Sequence, residues 1–266
     1  MAGPETGDGG VSPGGLREIA EAVAREAGRQ LRDAFAGPLV NVTAKSSPTD
    51  LVSEADHAAE RLIRERLAAA RPGDGFLGEE GGNARGTTGL RWVVDPLDGT
   101  VNFLFGIPQW AVSIACEDSG GALAGVIYDP MRDELWSAER GGPALLDGRR
   151  IWASERDDLA TALVATGFGY DADVRRLQAG VAARLLPRVR DIRRLGSAAL
   201  DLAWTAAGRY DAYYERGLNA WDVAAGALLC AGAGLAVREL PPSPPAGAGV
   251  LVAPHAIIDE LESLVT

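Results

Sequence analysis

Apolar residues recur at helical spacing over residues 16–35, where Leu16, Ile19, Ala20, Val23, Ala27 and Leu31 share one face between charged positions and Gly37-Pro38 ends the run. This pattern predicts an amphipathic helix. A second helix is predicted over 54–70, with Ala55, Ala59, Leu62, Ile63 and Leu67 on one face, Ser53 as its N-cap and Arg71-Pro72-Gly73 as its stop. From Trp92 onward the period shortens. Apolar runs at 92–94, 111–116, 123–128 and 134–138, divided by Gly-rich or charged turns, predict strands. The second half mixes both periods: a strand at 163–166, helices at 172–186 and 197–208, a strand at 212–214 and a helix at 220–231. A stiff loop carrying Pro241, Pro242, Pro244 and Pro245 then leads to a strand at 249–253 and a last helix at 256–264.

Two long helices, a series of strands joined by short turns, and then mixed elements predict an α/β protein of the α+β type. Its sheets should be largely antiparallel, because the early turns are too short for βαβ crossovers. A sub-domain border is expected at 153–158. Residues 1–15, rich in Gly and Pro with neither a basic start nor an apolar block, are expected to be a disordered leader, which leaves 16–266 as the folded unit.

The chain has 266 residues, 47% hydrophobic and 24% charged, enough to bury a large core. Its 26 Lys and Arg stand against 37 Asp and Glu, a formal charge of -11, which argues against a surface that tracks nucleic acid or anionic lipid. Any anionic ligand must be captured locally, with help. Cys116 and Cys230 lie in apolar runs and offer neither a disulfide framework nor metal-ligand spacing, so a reducing compartment and a cytoplasmic location are expected. The uncharged stretch 223–237 is interrupted by glycines and falls short of the roughly 20 residues that span a bilayer.

The chemistry concentrates in Trp92-Val-Val-Asp95-Pro96-Leu97-Asp98-Gly99-Thr100. A strand delivers Asp95, Pro96 withholds a ladder donor, and Asp98-Gly99-Thr100 makes a turn with free backbone amides. Two carboxylates beside a hydroxyl suit a hard cation such as Mg²⁺ that bridges to a phosphate. Alone, the segment is equally a strand followed by an Asp-Gly turn. Glu79 in Gly78-Glu79-Glu80-Gly81 could sit in a solvated turn, and Asp56 and Asp222 could each merely cap a helix. For Asp56 to serve function it must reach Thr100. Together these acids are harder to explain as independent turns.

Residues 50–56, Gly78-Glu79-Glu80, the 92–103 segment and Ala220-Trp221-Asp222 through Gly226, in that order, resemble the signature segments of the inositol monophosphatase family. The resemblance spans about residues 19–264. It implies a five-layered αβαβα sandwich, usually a homodimer, and a lithium-sensitive, Mg²⁺-dependent phosphatase of inositol phosphate metabolism. Carried over by position, it implies that Glu79, Asp95 and the Leu97 carbonyl hold one Mg²⁺, that Asp95, Asp98 and Asp222 hold a second, and that Glu79 faces a weaker third site. Gly99 and Thr100 would offer amides to the phosphate, and Thr100 backed by Asp56 would polarise the attacking water for direct in-line displacement, with Glu79 also in the catalytic set. Ser197, Ala198, Glu215 and Asp222 would line the substrate side, and Lys45 lies where the family often has a loop lysine.

Other phosphatase chemistries fail on spacing. An aspartyl-phosphate enzyme needs Asp-x-Asp-x-Thr, and no Cys-x₅-Arg loop is present, since Ala122 stands where the arginine would follow Cys116. A calcium loop over 95–106 lacks its alternating acids and closing Glu. Within the family, Tyr213-Tyr214-Glu215 and Gly125-Val-Ile-Tyr128 resemble the inositol phosphate branch, so inositol 1-phosphate is the expected substrate. Histidinol phosphate, or another small sugar or nucleotide phosphate, is the alternative. A different alternative is a binding partner of transcription or ribosome-assembly machinery. The basic stretch with Arg188, Arg190, Arg193 and Arg194 reads as a solvated face or a dimer edge.

Overall fold

A computed structural model describes residues 12–37, 43–44 and 51–266. Helix α1 (Pro13–Phe35) begins at Pro13 and not at Leu16, so residues 13–15, expected in the leader, are helical. Ser12 caps it by accepting from the Gly15 amide, and proline suits the first turn because its missing N–H would be unpaired there anyway. An antiparallel pair, β1 (Thr43–Ala44) and β2 (Leu51–Val52), precedes α2 (Glu54–Ala70), where Ser53 and Asp56 form a capping box. Lys45 and Asp50 lie outside the described residues.

The first sheet contains β3 (Gly75–Gly78), β4 (Asn83–Ala84) and β5 (Arg91–Asp98). After the short α3 (Thr100–Leu104) it adds β6 (Ala111–Asp118), β7 (Gly121–Asp129), β8 (Glu134–Glu139), β9 (Leu145–Leu146) and β10 (Arg149–Arg150). The strand order is β10-β9-β8-β7-β6-β5-β3-β4, antiparallel throughout except for β3 beside β5.

The second sheet contains β11 (Leu163–Thr166), β12 (Asp191–Arg193), β13 (Ala212–Arg216), β14 (Ala236–Leu240) and β15 (Gly249–Ala253), in the order β12-β11-β13-β15-β14. Here β11 runs parallel to both β12 and β13, which the intervening α4 (Ala172–Leu185) and α5 (Ala198–Ala206) make possible. The chain closes with α6 (Ala220–Gly232) before β14 and α7 (Ile258–Val265) after β15. Strands β12 and β14 have no counterpart in the hydrophobic pattern, because charged residues occupy much of each: Asp191 and Arg193, Arg238 and Glu239.

Three apolar clusters define the layers. Leu16, Ala27 and Leu31 of α1 and Ile63 and Leu67 of α2 pack on Trp92, Ile114 and Val126, covering one face of the first sheet. The other face, with Ile127 and Trp136, meets Leu200, Ala203 and Leu229 of α5 and α6, and these in turn meet Tyr213 and Val252 of the second sheet. Outside, Val181 and Leu185 of α4 and Leu261 of α7 cover Val164, Tyr214 and Leu251. The result is the αβαβα sandwich, with α5 and α6 as the filling shared by both sheets. Among the described residues no helix is long and apolar enough to cross a membrane.

Candidate active site

On a regular strand, residues three apart point to opposite faces. The pairing of β5 with β6 breaks this rule: Asp95 opposes Ser113 and Asp98 opposes Ala111, so three steps along one strand match two along the other. The extra residue is a bulge, and it turns Asp98 to the same side as Asp95. Local chemistry explains its position. Pro96 has no N–H, and the Leu97 amide is diverted to Asp95 Oδ1 at 3.0 Å, so both ladder donors are lost there.

Asp222 joins this pair from the first turn of α6, where its Oδ2 caps the Asn219 amide at 2.6 Å. One carboxylate oxygen from each of Asp95, Asp98 and Asp222 lies within 4.8 Å of the others. The cap expected as the alternative role of Asp222 is thus real and coexists with the cluster. Glu79 lies on the same cleft, just beyond β3, its amide bonded to the Val94 carbonyl at 3.2 Å, and its side chain hydrogen-bonds Asp95. The loop that carries it is anchored by buried Glu60, which accepts from the Glu80 and Gly82 amides at 2.8 and 3.0 Å. A Cβ on Gly78 would lie 2.2 Å from Glu60 Oε2, so a side chain there would displace Glu60 from the loop it anchors.

Burial, followed by the charges of Glu79, Asp98 and Asp222, pushes Asp95 well above the usual carboxylate range. Burial also raises Asp98 to about 6, against hydrogen bonds from Ser197 and Ala199 that favour its charged form. Asp222 rises through burial and then the charge of Asp98. Among the described residues no Arg or Lys forms an ion pair with these three aspartates. Converging carboxylates that no cation pairs among the described residues are an all-oxygen donor set that fits a hard divalent ion.

Asp56, fully buried, meets the condition set for it. Thr100 Oγ1 lies 2.9 Å from Asp56 Oδ1 and 3.0 Å from the Leu97 carbonyl, while Ser53 fixes Asp56 Oδ2 through its amide at 2.9 Å and its hydroxyl at 2.6 Å. Gly99, at φ +97°, opens α3, and a Cβ there would come 2.9 Å from the Gln109 carbonyl. Asn102 ties this turn to the other half of the molecule: its Nδ2 reaches the Gln109 and Leu195 carbonyls at 2.7 and 2.8 Å.

The acids open onto a cleft of about 330 Å³ that also touches Gly99, Thr100, Ser197, Ala198 and Glu215, as the sequence reading expected. Ser197 does more than line it, since its hydroxyl and the Ala199 amide both donate to Asp98 Oδ2. Glu215 is raised to about 7 by burial, against the hydrogen bond from Tyr213 at 2.7 Å. A Cβ on Gly167 would stand 1.9 Å from Glu215 Oε2, so only glycine leaves Glu215 its place. Sequence reasoning missed the loop with Gly167, Phe168 and Tyr170, although it leaves the end of a predicted strand as Asp98 does. Arg194, expected on a solvated face or dimer edge, is exposed, and it also borders the cleft.

A layered sandwich whose middle cleft gathers carboxylates beside a threonine–aspartate pair is the design of a phosphatase of the sugar-phosphate kind. More narrowly, the chain belongs to the inositol monophosphatase family, whose profile matches residues 15–261. It is 46% identical to inositol-1-monophosphatase SuhB of Mycobacterium tuberculosis, over 94% of this chain and 92% of that protein. It is 47% identical to Nus factor SuhB of Xylella fastidiosa, over 71% of this chain and 69% of that protein. The crystal structure of extragenic suppressor protein suhB from Bartonella henselae superposes with a TM-score of 0.87 at 38% identity, covering 94% of this chain and 98% of that one.

Proposed function

We propose that this protein is a Mg²⁺-dependent phosphate monoester hydrolase that converts inositol 1-phosphate to myo-inositol and phosphate. The observation that carries this reading is the convergence of Asp95, Asp98 and Asp222 within 4.8 Å beside the Thr100–Asp56 pair. Glu79, Asp95 and the Leu97 carbonyl would hold one ion and Asp95, Asp98 and Asp222 another, with Glu79 facing a third. Bound there, Mg²⁺ supplies the positive charge that admits a phosphate dianion and the Lewis acidity that assists its hydrolysis.

The chain's own groups do the rest. A phosphate brought against bare carboxylates would be strongly repelled, and the amides of Gly99 and Thr100 orient it but do not by themselves offset that repulsion. Thr100 has one hydroxyl hydrogen. Donated to Asp56, it leaves the oxygen lone pairs to accept from the attacking water and orient it for in-line displacement. The bond from the water oxygen to phosphorus forms as the ester P–O bond breaks; the attacking water gives one proton to solvent and the leaving alkoxide takes one from solvent, which yields myo-inositol and phosphate. Ser197 holds Asp98, and Ala198 and Glu215 face the polyol.

The reading is tested by phosphate release from inositol 1-phosphate, histidinol phosphate and a small nucleotide phosphate, with and without Mg²⁺ and Li⁺. Preference for the inositol ester is expected. The name of the Xylella relative supports a second role, contact with transcription machinery, which D95N would separate if it stopped hydrolysis but left a cellular phenotype intact. We also propose a cytoplasmic homodimer with neither nucleic acid nor membrane as ligand; exposed Phe105 and Ile107 beside α3 offer apolar surface for a second copy. The chain passes from the first sheet to the second between β10 and β11, which supports a sub-domain border at 153–158, and the core that α5 and α6 share with both sheets supports reading 16–266 as one phosphatase unit.

A further inference from the structure

Four arginines crowd the stretch from 188 to 194, and three are already committed. Arg188 pairs with Glu260 at 2.9 Å, Arg190 donates to the Thr161 carbonyl at 2.8 Å, and Arg193 pairs with Asp191 at 2.6 Å. Arg194 forms no ion pair among the described residues and lines the cleft. Its position is built. The guanidinium lies 5.8 Å from the Phe168 ring centroid and donates to the Phe168 carbonyl at 3.4 Å. A Cβ on Gly196, at φ +87°, would approach Arg194 Nη1 to 2.8 Å, so that glycine makes room for it.

Glu215 lines the same cleft and its charged form is favoured by Arg194, yet the two do not come within ion-pair distance. The other arginine on the cleft, Arg216, is buried and spends Nη1 on the Pro241 carbonyl at 2.5 Å. An exposed guanidinium at the rim and a more deeply placed carboxylate that share a cleft without touching form a matched donor and acceptor. A hydroxyl is both donor and acceptor, so a polyol can satisfy the two at once, whereas a leaving group with neither donor nor acceptor satisfies neither.

Resting on the phosphatase reading, we propose that Arg194 is a specificity-determining residue of the leaving-group side, reading a polyol hydroxyl as an acceptor while Glu215 reads one as a donor. The test compares wild type, R194A and R194K on inositol 1-phosphate and on phenyl phosphate, whose leaving group has no donor or acceptor beyond the ester oxygen, at saturating Mg²⁺. R194A is expected to lower kcat/KM for the inositol ester about tenfold more than for the aryl ester, chiefly through KM, the loss of one charge-assisted hydrogen bond. R194K should recover part of that ratio. Equal losses on both esters, as a purely structural or dimer-edge arginine would give, overturn the assignment while leaving the phosphatase reading intact. A wild-type protein inactive on every ester would overturn both.

Discussion

Ser197, the cap of α5 in the middle layer, donates its hydroxyl to Asp98 at the end of β5, so one half of the sandwich fixes a cleft carboxylate that belongs to the other. The Ala199 amide adds a second donor at 2.8 Å, and Asn102 bridges back to the Leu195 carbonyl. The cleft therefore assembles only when both sheets are docked.

Removing the Ser197 hydroxyl should first be felt as weaker cation binding. S197A is expected to raise the Mg²⁺ concentration for half-maximal activity by about 10- to 100-fold, the usual cost of losing a group that orients a ligand. Because Ser197 also caps the Leu200 amide at 3.2 Å, the variant should lose about 1 kcal/mol of stability. Mg²⁺ titrations of rate and urea unfolding separate the two effects; an unchanged Mg²⁺ dependence would refute the first.

Thr100 is buried, and valine has nearly its shape. T100V is expected to reduce kcat by about 10²- to 10⁴-fold, while T100S keeps the hydroxyl and most of the rate. Steady-state kinetics on the pair decide it, and similar values for the two variants would remove Thr100 from catalysis.

Much of this arrangement could be read along the chain. The helices over 54–70 and from 220 follow from apolar spacing and caps, and the strand carrying Asp95 from its run of Trp and Val. The Thr100–Asp56 contact follows from the sequence as a condition, because the two residues belong to segments with recognisable chemistry. The bulge was not legible, since it depends on how β5 pairs with a strand beyond it. Nor was the place of Arg194, because a basic run looks the same whether its members meet carboxylates, carbonyls or a cleft. Glu60 and Asp201 read as ordinary helix polars, and only tertiary packing buries them.

Asp201, on α5, is buried with both carboxylate oxygens unpartnered among the described residues, and burial holds it well above the usual carboxylate range. The unfolded chain ionises it from about pH 4 upward while the folded protein keeps it protonated until its raised pKa. Its contribution to stability thus falls as pH rises across that window. D201N, always neutral, should gain relative to wild type between pH 4 and pH 8, as read from urea midpoints. A gap that narrows with rising pH would contradict the account.

Glu215, raised to about 7, changes from neutral below that pH to an acceptor-only carboxylate above it. KM for inositol 1-phosphate is expected to improve as pH rises through about 7, and E215Q should flatten that limb. The same dependence in E215Q would assign the titration elsewhere.

G167A should act on Glu215 alone. The added methyl would fall 1.9 Å from Glu215 Oε2, so KM for the inositol ester should rise several-fold with the Mg²⁺ requirement unchanged. Kinetics at several Mg²⁺ concentrations would show whether the metal side moved instead.

The claim that buried aspartates admit a phosphate ester only when divalent ions reverse their charge is tested most directly by phosphate release from inositol 1-phosphate across a Mg²⁺ titration, for wild type and D95N. No release in chelator, a saturable rise with Mg²⁺, and a loss of at least about 10³-fold in D95N are predicted, the scale of a group acting on developing charge. Turnover in chelator, or a D95N variant close to wild type, would contradict it.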